Sequence, residues 1–558
     1  MVQQSQRQHR LVRSNLSRQL AIDILLLCSS AVLFSLSFPS FLSTWGWFPL
    51  SFLSLFPVFI VVRRNSWLGN VLLGFLYGYG SYSLFNFWLS KFHPLAHIIV
   101  PVIYAGFFIV VFPALKLADK LFPRHGYLVQ FFIWLTYEYL KTLGFIGYSY
   151  GILGYSQYLF LPLIRISSIT GVWGVSAIVA FPSVYLGNAL KDAVGGGPKA
   201  WLKALKAFVS DHWTPAVVYG AFFVAVLVYG FLVKIDFSDQ RQWRVALIQQ
   251  NVDPWHGQLK AYQTSFDIHT RLSTNAMEKN PDIIIWSETA FVPGIDWHTR
   301  YRTNQDSYRL VKRLRDYLNE QTVPFVIGND DGQIANPGLP PVNWDGTLNR
   351  LDYNAAILYV DGEISNTYRK LHLVPFTEGF PFKDSLTGIY NWLKEADTHF
   401  WEKGEEATVF EVDGVRFSTP ICFEDTFGYL SRDFVRNGAK VIVNLTNDSW
   451  SKSVAAEMQH MSMAVFRAVE NRRTVVRATN GGITCTIEPS GRITSMLEPF
   501  IEDYLVHDVP VYDDGETLYT RWGDWFAIVI SVLTGFLLLS GTTRALWRKS
   551  RTKQQSAE

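Results

Sequence analysis

Pro420-Ile421-Cys422-Phe423-Glu424-Asp425 marks the place where an apolar strand pattern over 415–421 stops and a helical pattern over 426–437 begins. A thiol at such a turn faces the positive end of the helix dipole. That environment favours the thiolate, the form that attacks carbonyl carbon. Taken by itself, a free Cys among apolar neighbours reads as inert core. What Cys422 does therefore depends on what the rest of the chain brings to it.

Outward from this turn, between residues 243 and 489, β-branched and aromatic runs alternate with amphipathic helical patterns. Strands are expected at 244–249, 283–286, 325–328, 355–360, 415–421, 441–445, 474–477 and 483–487. Helices are expected at 258–279, 303–320, 426–437 and 454–472. The alternation implies a layered α/β domain. Three charged positions stand out in it. Glu288 ends the run Ile283-Ile284-Ile285-Trp286-Ser287-Glu288, where an apolar wall would raise its pKa toward the range of a general base. Lys370, in Tyr368-Arg369-Lys370-Leu371-His372, could donate to a developing oxyanion and lower the thiol pKa of Cys422. Glu378, in Phe376-Thr377-Glu378-Gly379-Phe380-Pro381, sits in a Gly/Pro-shaped loop of the kind that carries functional side chains.

The chain has 558 residues, too many for one core, and its composition is split. Up to about residue 235 it consists of apolar runs broken by short basic loops; from about 240 to 520 it has the mixed character of a soluble domain; a last apolar run precedes a basic tail. Eight spans are expected, at about 21–38, 45–62, 67–90, 96–115, 127–143, 163–190, 213–234 and 523–542. The expected domains are a transmembrane region of seven spans over 1–235, an outer α/β domain over 240–515, and a final helix with a basic tail over 520–558.

Arg7, Arg10, Arg13 and Arg18 precede the first span, Arg63 and Arg64 follow the second, and Lys116, Lys120 and Arg124 follow the fourth. Lys191, Lys199, Lys203 and Lys206 follow the sixth, and Arg544, Arg548, Lys549, Arg551 and Lys553 the last. The alternate loops are nearly free of such charge, Lys91 being the main exception, which puts both termini in the cytoplasm and the 240–520 region outside. Basic residues at span ends suit a membrane topology rather than a nucleic-acid surface, and the net charge is only +3. Three cysteines, Cys28, Cys422 and Cys485, form neither a disulfide framework nor a paired-Cys zinc site. Glu138 and Lys141 place an ionisable pair at membrane depth. Trp45, Trp47, Trp88, Trp522 and Trp525 lie at span ends, where amphipathic rings favour the headgroup level.

Together, Trp286-Ser287-Glu288, Tyr368-Arg369-Lys370 and Ile421-Cys422-Phe423-Glu424 resemble the nitrilase superfamily, whose signature is a Glu–Lys–Cys triad on an αββα sandwich. The membrane half narrows the resemblance. Leu36-Ser37-Phe38-Pro39, residues 147–157 (GYSYGILGYSQ) and Gly171-Val172-Trp173-Gly174-Val175-Ser176 are similar to the apolipoprotein N-acyltransferase family. So are Asn447-Asp448-Ser449-Trp450 and Arg467-Ala468-Val469-Glu470-Asn471-Arg472.

This resemblance implies a multi-pass protein of the bacterial inner membrane with an extracytoplasmic nitrilase-like sandwich. It implies a phospholipid acyl donor and a diacylglyceryl-modified apolipoprotein acceptor, with no metal or cofactor. Cys422 would be the nucleophile, Glu288 the general base and Lys370 the oxyanion donor together with the Phe423 N–H; Glu378 would support the triad. Glu424, Trp255 and Trp450 fall at positions that matter in the family. Two positions depart from it: Phe423 stands where many members have Tyr, and Ser451 where an aromatic is common.

Two other readings share part of this pattern. A membrane-tethered amidase or nitrilase would use the same triad to give its acyl group to water. A transporter or receptor with an outer binding domain would need polar residues across several spans, and beyond Glu138 and Lys141 the spans show few.

Overall fold

The strand Gln242–Gln249 (β1) shows how the α/β domain is layered. Its Val245 and Leu247 join one apolar cluster while the alternate Ala246 and Ile248 join another, as a period of two requires when both faces of a strand are covered. Ile283–Trp286 (β2) repeats the pattern: Ile283 and Ile285 turn to the first cluster, Ile284 and Trp286 to the second. The computed structural model describes residues 2–92, 95–252, 257–380, 382–383, 385–395 and 400–555.

The remaining strands are Phe325–Ile334 (β3), Arg350–Val360 (β4), Glu363–Arg369 (β5), Val409–Val412 (β6), Val415–Ser418 (β7) and Val441–Asn447 (β8). Thr474–Asn480 (β9), Cys485–Ile487 (β10), Ile493–Met496 (β11) and Asp503–Pro510 (β12) complete the set. Among the described residues they form two six-stranded sheets, ordered β12-β1-β2-β3-β4-β5 and β11-β10-β9-β8-β7-β6. β1, β2 and β3 run parallel, as do β7, β8 and β9, and the outer strands are antiparallel. The sheets face each other through contacts such as Trp243 on Phe417, whose rings are 5.2 Å apart.

Helices Gln258–Met277 and Gln305–Asn319 cover the first sheet through Phe266, Leu272, Leu310 and Leu314. Helices Gly428–Arg436 and Val454–Asn471 bury Phe434, Met461 and Phe466 in the cluster that holds the second. This is the expected αββα sandwich. The strands β5, β6, β11 and β12 were not expected; they are short or carry polar residues at alternate positions, as in Glu-Ile-Ser-Asn-Thr-Tyr-Arg of β5.

In the N-terminal half and at the C-terminus, five described helices are long and apolar enough to cross a membrane. They cover Ser17–Leu36, Ala96–Leu121, Val172–Leu190, Trp213–Leu232 and Trp525–Gln555. The other three expected spans do not reach that standard. The 45–62 segment divides into a 3-10 turn at Phe48–Leu50 and helices Ser51–Ser54 and Phe56–Arg64. Helix Trp67–Phe85 is diluted by Gly and Tyr, and Gly126–Leu140 has only 15 residues. The expected 163–190 span is broken at Gly171, whose φ of +65° and close approach to the Tyr519 ring both exclude a side chain. Helix count by length and apolarity is therefore five, and the reading of eight rests on the sequence alone.

Candidate active site

Cys422 follows the bridge between Ile421 and Leu445 and opens a five-residue 3-10 turn, Cys422–Thr426. Its φ of +51° is left-handed, a strained conformation for a residue with a Cβ and one that clusters at functional sites. The expected helix does not begin until Gly428, so little dipole is aimed at the sulfur. The thiolate expectation is accordingly corrected. Burial pushes the Cys422 thiol well above its ordinary value, the Glu288 charge adds to this, and Lys370 opposes it only in part. Cys422 is 9% exposed, and a thiol so placed would need a base in order to act as a nucleophile.

Glu288 lies just beyond the carboxyl end of β2. Its Oε1 accepts hydrogen bonds from Asn354 Nδ2 at 2.7 Å and Lys370 Nζ at 3.3 Å, and its Oε2 accepts the Asn447 N–H at 2.8 Å. Burial raises its pKa; Lys370 pulls the other way, and Glu378 adds to the rise. That is the direction a general base at neutral pH requires.

Lys370 follows the last residue of β5 and is 0% exposed. Besides Glu288 it donates to Glu378 Oε1 at 2.7 Å. Burial works against its charge, yet Glu378 and then Glu288 outweigh that and hold its pKa above the ordinary lysine value. Lys370 is thus a buried cation held between two carboxylates, and its charge opposes the rise of the Cys422 thiol pKa.

Glu378 is presented by a tight loop in which Phe376 takes φ +64° and its N–H donates to the Gly379 carbonyl at 2.9 Å. The second oxygen of Glu378 accepts the Val374 N–H at 2.8 Å, which fixes the carboxylate that fixes Lys370.

Glu424 has a different task from the other acids. It accepts the Ile421 N–H at 2.7 Å, the Leu371 N–H at 2.7 Å, the His372 N–H at 2.9 Å and the Tyr368 hydroxyl at 2.8 Å. Burial pushes its pKa up to about 7 in spite of these donors. The residue ties the Cys422 turn to the segment that carries Lys370. Phe423 packs its ring against Phe427 at 5.0 Å and faces Tyr150 at 6.4 Å. Trp450, in the turn Ser449–Ser451, stands 5.6 Å from the ring of Trp88. Trp255 lies outside the described residues. Ser451 is buried and gives its hydroxyl to Glu457, so it faces the domain interior rather than a lipid edge.

Several polar residues at the site were not singled out in the sequence. Asn354 binds Glu288, and Asn444 donates to the Cys422 carbonyl at 3.2 Å. Asp425, His460 and Arg477 form a buried charged group beside the turn. The available signal was an Asn inside an apolar strand run, as in Val441-Ile442-Val443-Asn444-Leu445, where a lone polar residue must find a partner.

Trp88 departs from the headgroup expectation: it is buried and donates to Gln459 at 3.0 Å, joining the two halves of the chain. Glu138 accepts the Leu153 N–H at 3.1 Å, and Lys141 donates to the Tyr150 carbonyl at 2.7 Å. That pair grips the 148–157 segment that packs on Phe423. Among the described residues no group of three or more His, Cys, Asp or Glu side chains is arranged to hold a metal ion.

A sequence profile of the carbon-nitrogen hydrolases matches residues 244–517, and one of the apolipoprotein N-acyltransferase N-terminal domain matches residues 30–185. The chain is 43% identical to apolipoprotein N-acyltransferase 1 of Treponema denticola over 522 residues, 92% of this chain and 95% of that one. It is 42% identical to the protein of the same name from Treponema pallidum over 543 residues, 95% of this chain and 97% of that one. Among solved structures, an amidase from Nesterenkonia sp. AN1 aligns with 52% of this chain and 96% of its own at 17% identity, with a TM-score of 0.36. That value is too low to carry an argument.

Proposed function

The chain belongs to the apolipoprotein N-acyltransferases and is a membrane-embedded acyltransferase of lipoprotein maturation, and on that premise we propose that Cys422 carries the acyl group between donor and acceptor. The donor is a membrane phospholipid, and the acceptor is the α-amino group of the S-diacylglyceryl cysteine at the N-terminus of a lipoprotein. The observation that carries this reading is Lys370, fully buried between Glu288 and Glu378 on a segment that Glu424 ties to the Cys422 turn.

In the first half-reaction, Glu288 takes the thiol proton as Sγ bonds to the acyl carbonyl carbon. The oxyanion forms beside Lys370 and the Phe423 N–H. Collapse breaks the ester C–O bond, and the lysophospholipid oxygen leaves with the proton returned by Glu288. In the second, the acceptor amine attacks the thioester carbon while Glu288 takes one of its protons. Collapse breaks the C–S bond, the amide is released, and the sulfur recovers its proton. Passage through a thioester replaces one difficult ester-to-amide exchange with two easier transfers.

The basic loops support a topology with both termini in the cytoplasm, residues 1–235 and 520–558 in and beside the membrane, and residues 240–515 on the outer side. Phospholipid alone is expected to leave one added acyl chain on Cys422, seen by intact mass and released by hydroxylamine. Cys422→Ala and Cys422→Ser are expected to lose both adduct and transfer while remaining folded in membranes. Robust transfer by purified Cys422→Ala would end the thioester reading.

A further inference from the structure

His460 lies on helix Val454–Asn471 with both ring nitrogens engaged by carboxylates. Nε2 is 2.8 Å from Asp425 Oδ1, and Nδ1 is 3.0 Å from each oxygen of Asp448. Arg477, on β9, pairs with Asp425 and reaches Asp448 at 3.5 Å. All four side chains are almost completely buried. Two carboxylates on opposite edges of one imidazole call for a proton on each nitrogen. Although burial opposes that charge, Asp448 and Asp425 outweigh it and push the His460 pKa up to about 9. The remaining groups around it are Glu457, which lies against Asp448, and the ring of Tyr150, 6.3 Å away.

The two carboxylates belong to two different catalytic turns. Asp425 sits in the same 3-10 turn as Cys422, three residues on. Asp448 follows Asn447, whose N–H donates to Glu288 Oε2 at 2.8 Å. The helix that carries His460 is itself tied to the membrane half next door, where Gln459 accepts from Trp88 and donates to the Pro39 carbonyl at 2.8 Å. We propose that His460 is a positioning residue: a doubly bonded strut that sets the separation between the turn bearing the nucleophile and the turn that orients its base. The inference rests on Cys422 and Glu288 acting as proposed above. A misplacement of about 1 Å between such groups costs ~10²-fold in rate.

The test uses the full-length protein in mixed micelles of phosphatidylethanolamine and detergent, with His460→Gln, His460→Ala and Asp448→Asn. The initial rate of Cys422 thioester formation is followed against lipid concentration. The expected result is a maximal rate lowered by ~10²-fold with half-saturating lipid changed by less than about twofold, because the strut orients reacting groups and does not touch lipid. The pH profile of Cys422 alkylation by iodoacetamide, read on the Cys422 peptide, is expected to move in the same variants. Folded variants with rates within about threefold of the parent, or a loss confined to lipid affinity, overturn the proposal. So does failure of all three to fold, which would make the cluster a determinant of stability alone. Cys422→Ala run alongside separates the two levels. If it still forms the acyl adduct or transfers, the thioester reading falls. If it is dead while His460→Gln is unimpaired, only the strut falls.

Discussion

Lys370 in the α/β domain and Lys141 in the membrane half are equally hidden from water, and their hydrogen-bond partners are of opposite kinds. Lys370 meets two carboxylates, Glu378 at 2.7 Å and Glu288 at 3.3 Å. Lys141 meets a neutral hydroxyl, that of Tyr82 at 2.9 Å, and the Tyr150 carbonyl at 2.7 Å. The first arrangement holds a positive charge where the proposed mechanism develops a negative one; the second holds a stretch of backbone. Burial alone does not distinguish the two lysines, whereas the chemistry of their hydrogen-bond partners does.

That contrast can be broken most directly at the lysines. Lys370→Met is expected to lower acyl transfer by ~10³-fold, since it removes both the proposed oxyanion donor and the charge opposing Glu288. Lys141→Met should leave the rate within about fivefold and reduce stability by ~1–3 kcal/mol, the cost of buried acceptors left without a donor. Equal losses of rate in the two variants, measured in proteoliposomes at matched folded fraction, would erase the distinction.

Glu378→Gln is expected to cost ~10²-fold by letting Lys370 move, and it also reports on charge. Because burial and the Glu378 charge both raise the Glu288 pKa, the proposed base becomes available only as pH rises past that raised value. The acid limb of the parent enzyme's rate profile should therefore lie above ~4.3, the ordinary Glu value, and should move to lower pH in Glu378→Gln. A limb that stays in place would mean that the Glu378 charge is not felt by Glu288.

Glu424→Gln sharpens the comparison from the structural side. It keeps the shape but weakens acceptance from three N–H groups and a hydroxyl, and should cost ~2 kcal/mol of stability with about a tenfold loss of rate. A thermal midpoint unchanged from the parent would remove its bracing role.

Much of the outer domain could be read from its residues. The run Ile283-Ile284-Ile285-Trp286 became β2 at its expected bounds, because four consecutive apolar residues ending at a polar one fit only a strand buried on both faces. The helices Gln258–Met277 and Gln305–Asn319 fell within a few residues of expectation for the same local reason, amphipathic period. Strand β5 escaped notice because its alternate residues are polar, and β12 because its pairing partner lies far away: it pairs with β1 across more than half the domain. In the membrane half, hydropathy found apolar stretches but not their interruptions, such as the break at Gly171, where a left-handed φ and the nearby Tyr519 ring leave room for glycine alone.

The amino acids in their order were enough to establish the chemical parts: a thiol at a strand end, a carboxylate behind an apolar run, a lysine and a second acid, and apolar runs to hold them at a membrane. Those are properties of neighbours along the chain. What only the tertiary structure decided is how the parts act on one another. It pushed the Cys422 thiol pKa up where the turn alone would lower it, turned Glu424 into a brace, and set His460 between two turns that are distant in sequence. Charge, desolvation and hydrogen-bond direction depend on distances through space, and for groups separated by tens or hundreds of residues those distances exist only once the chain has folded.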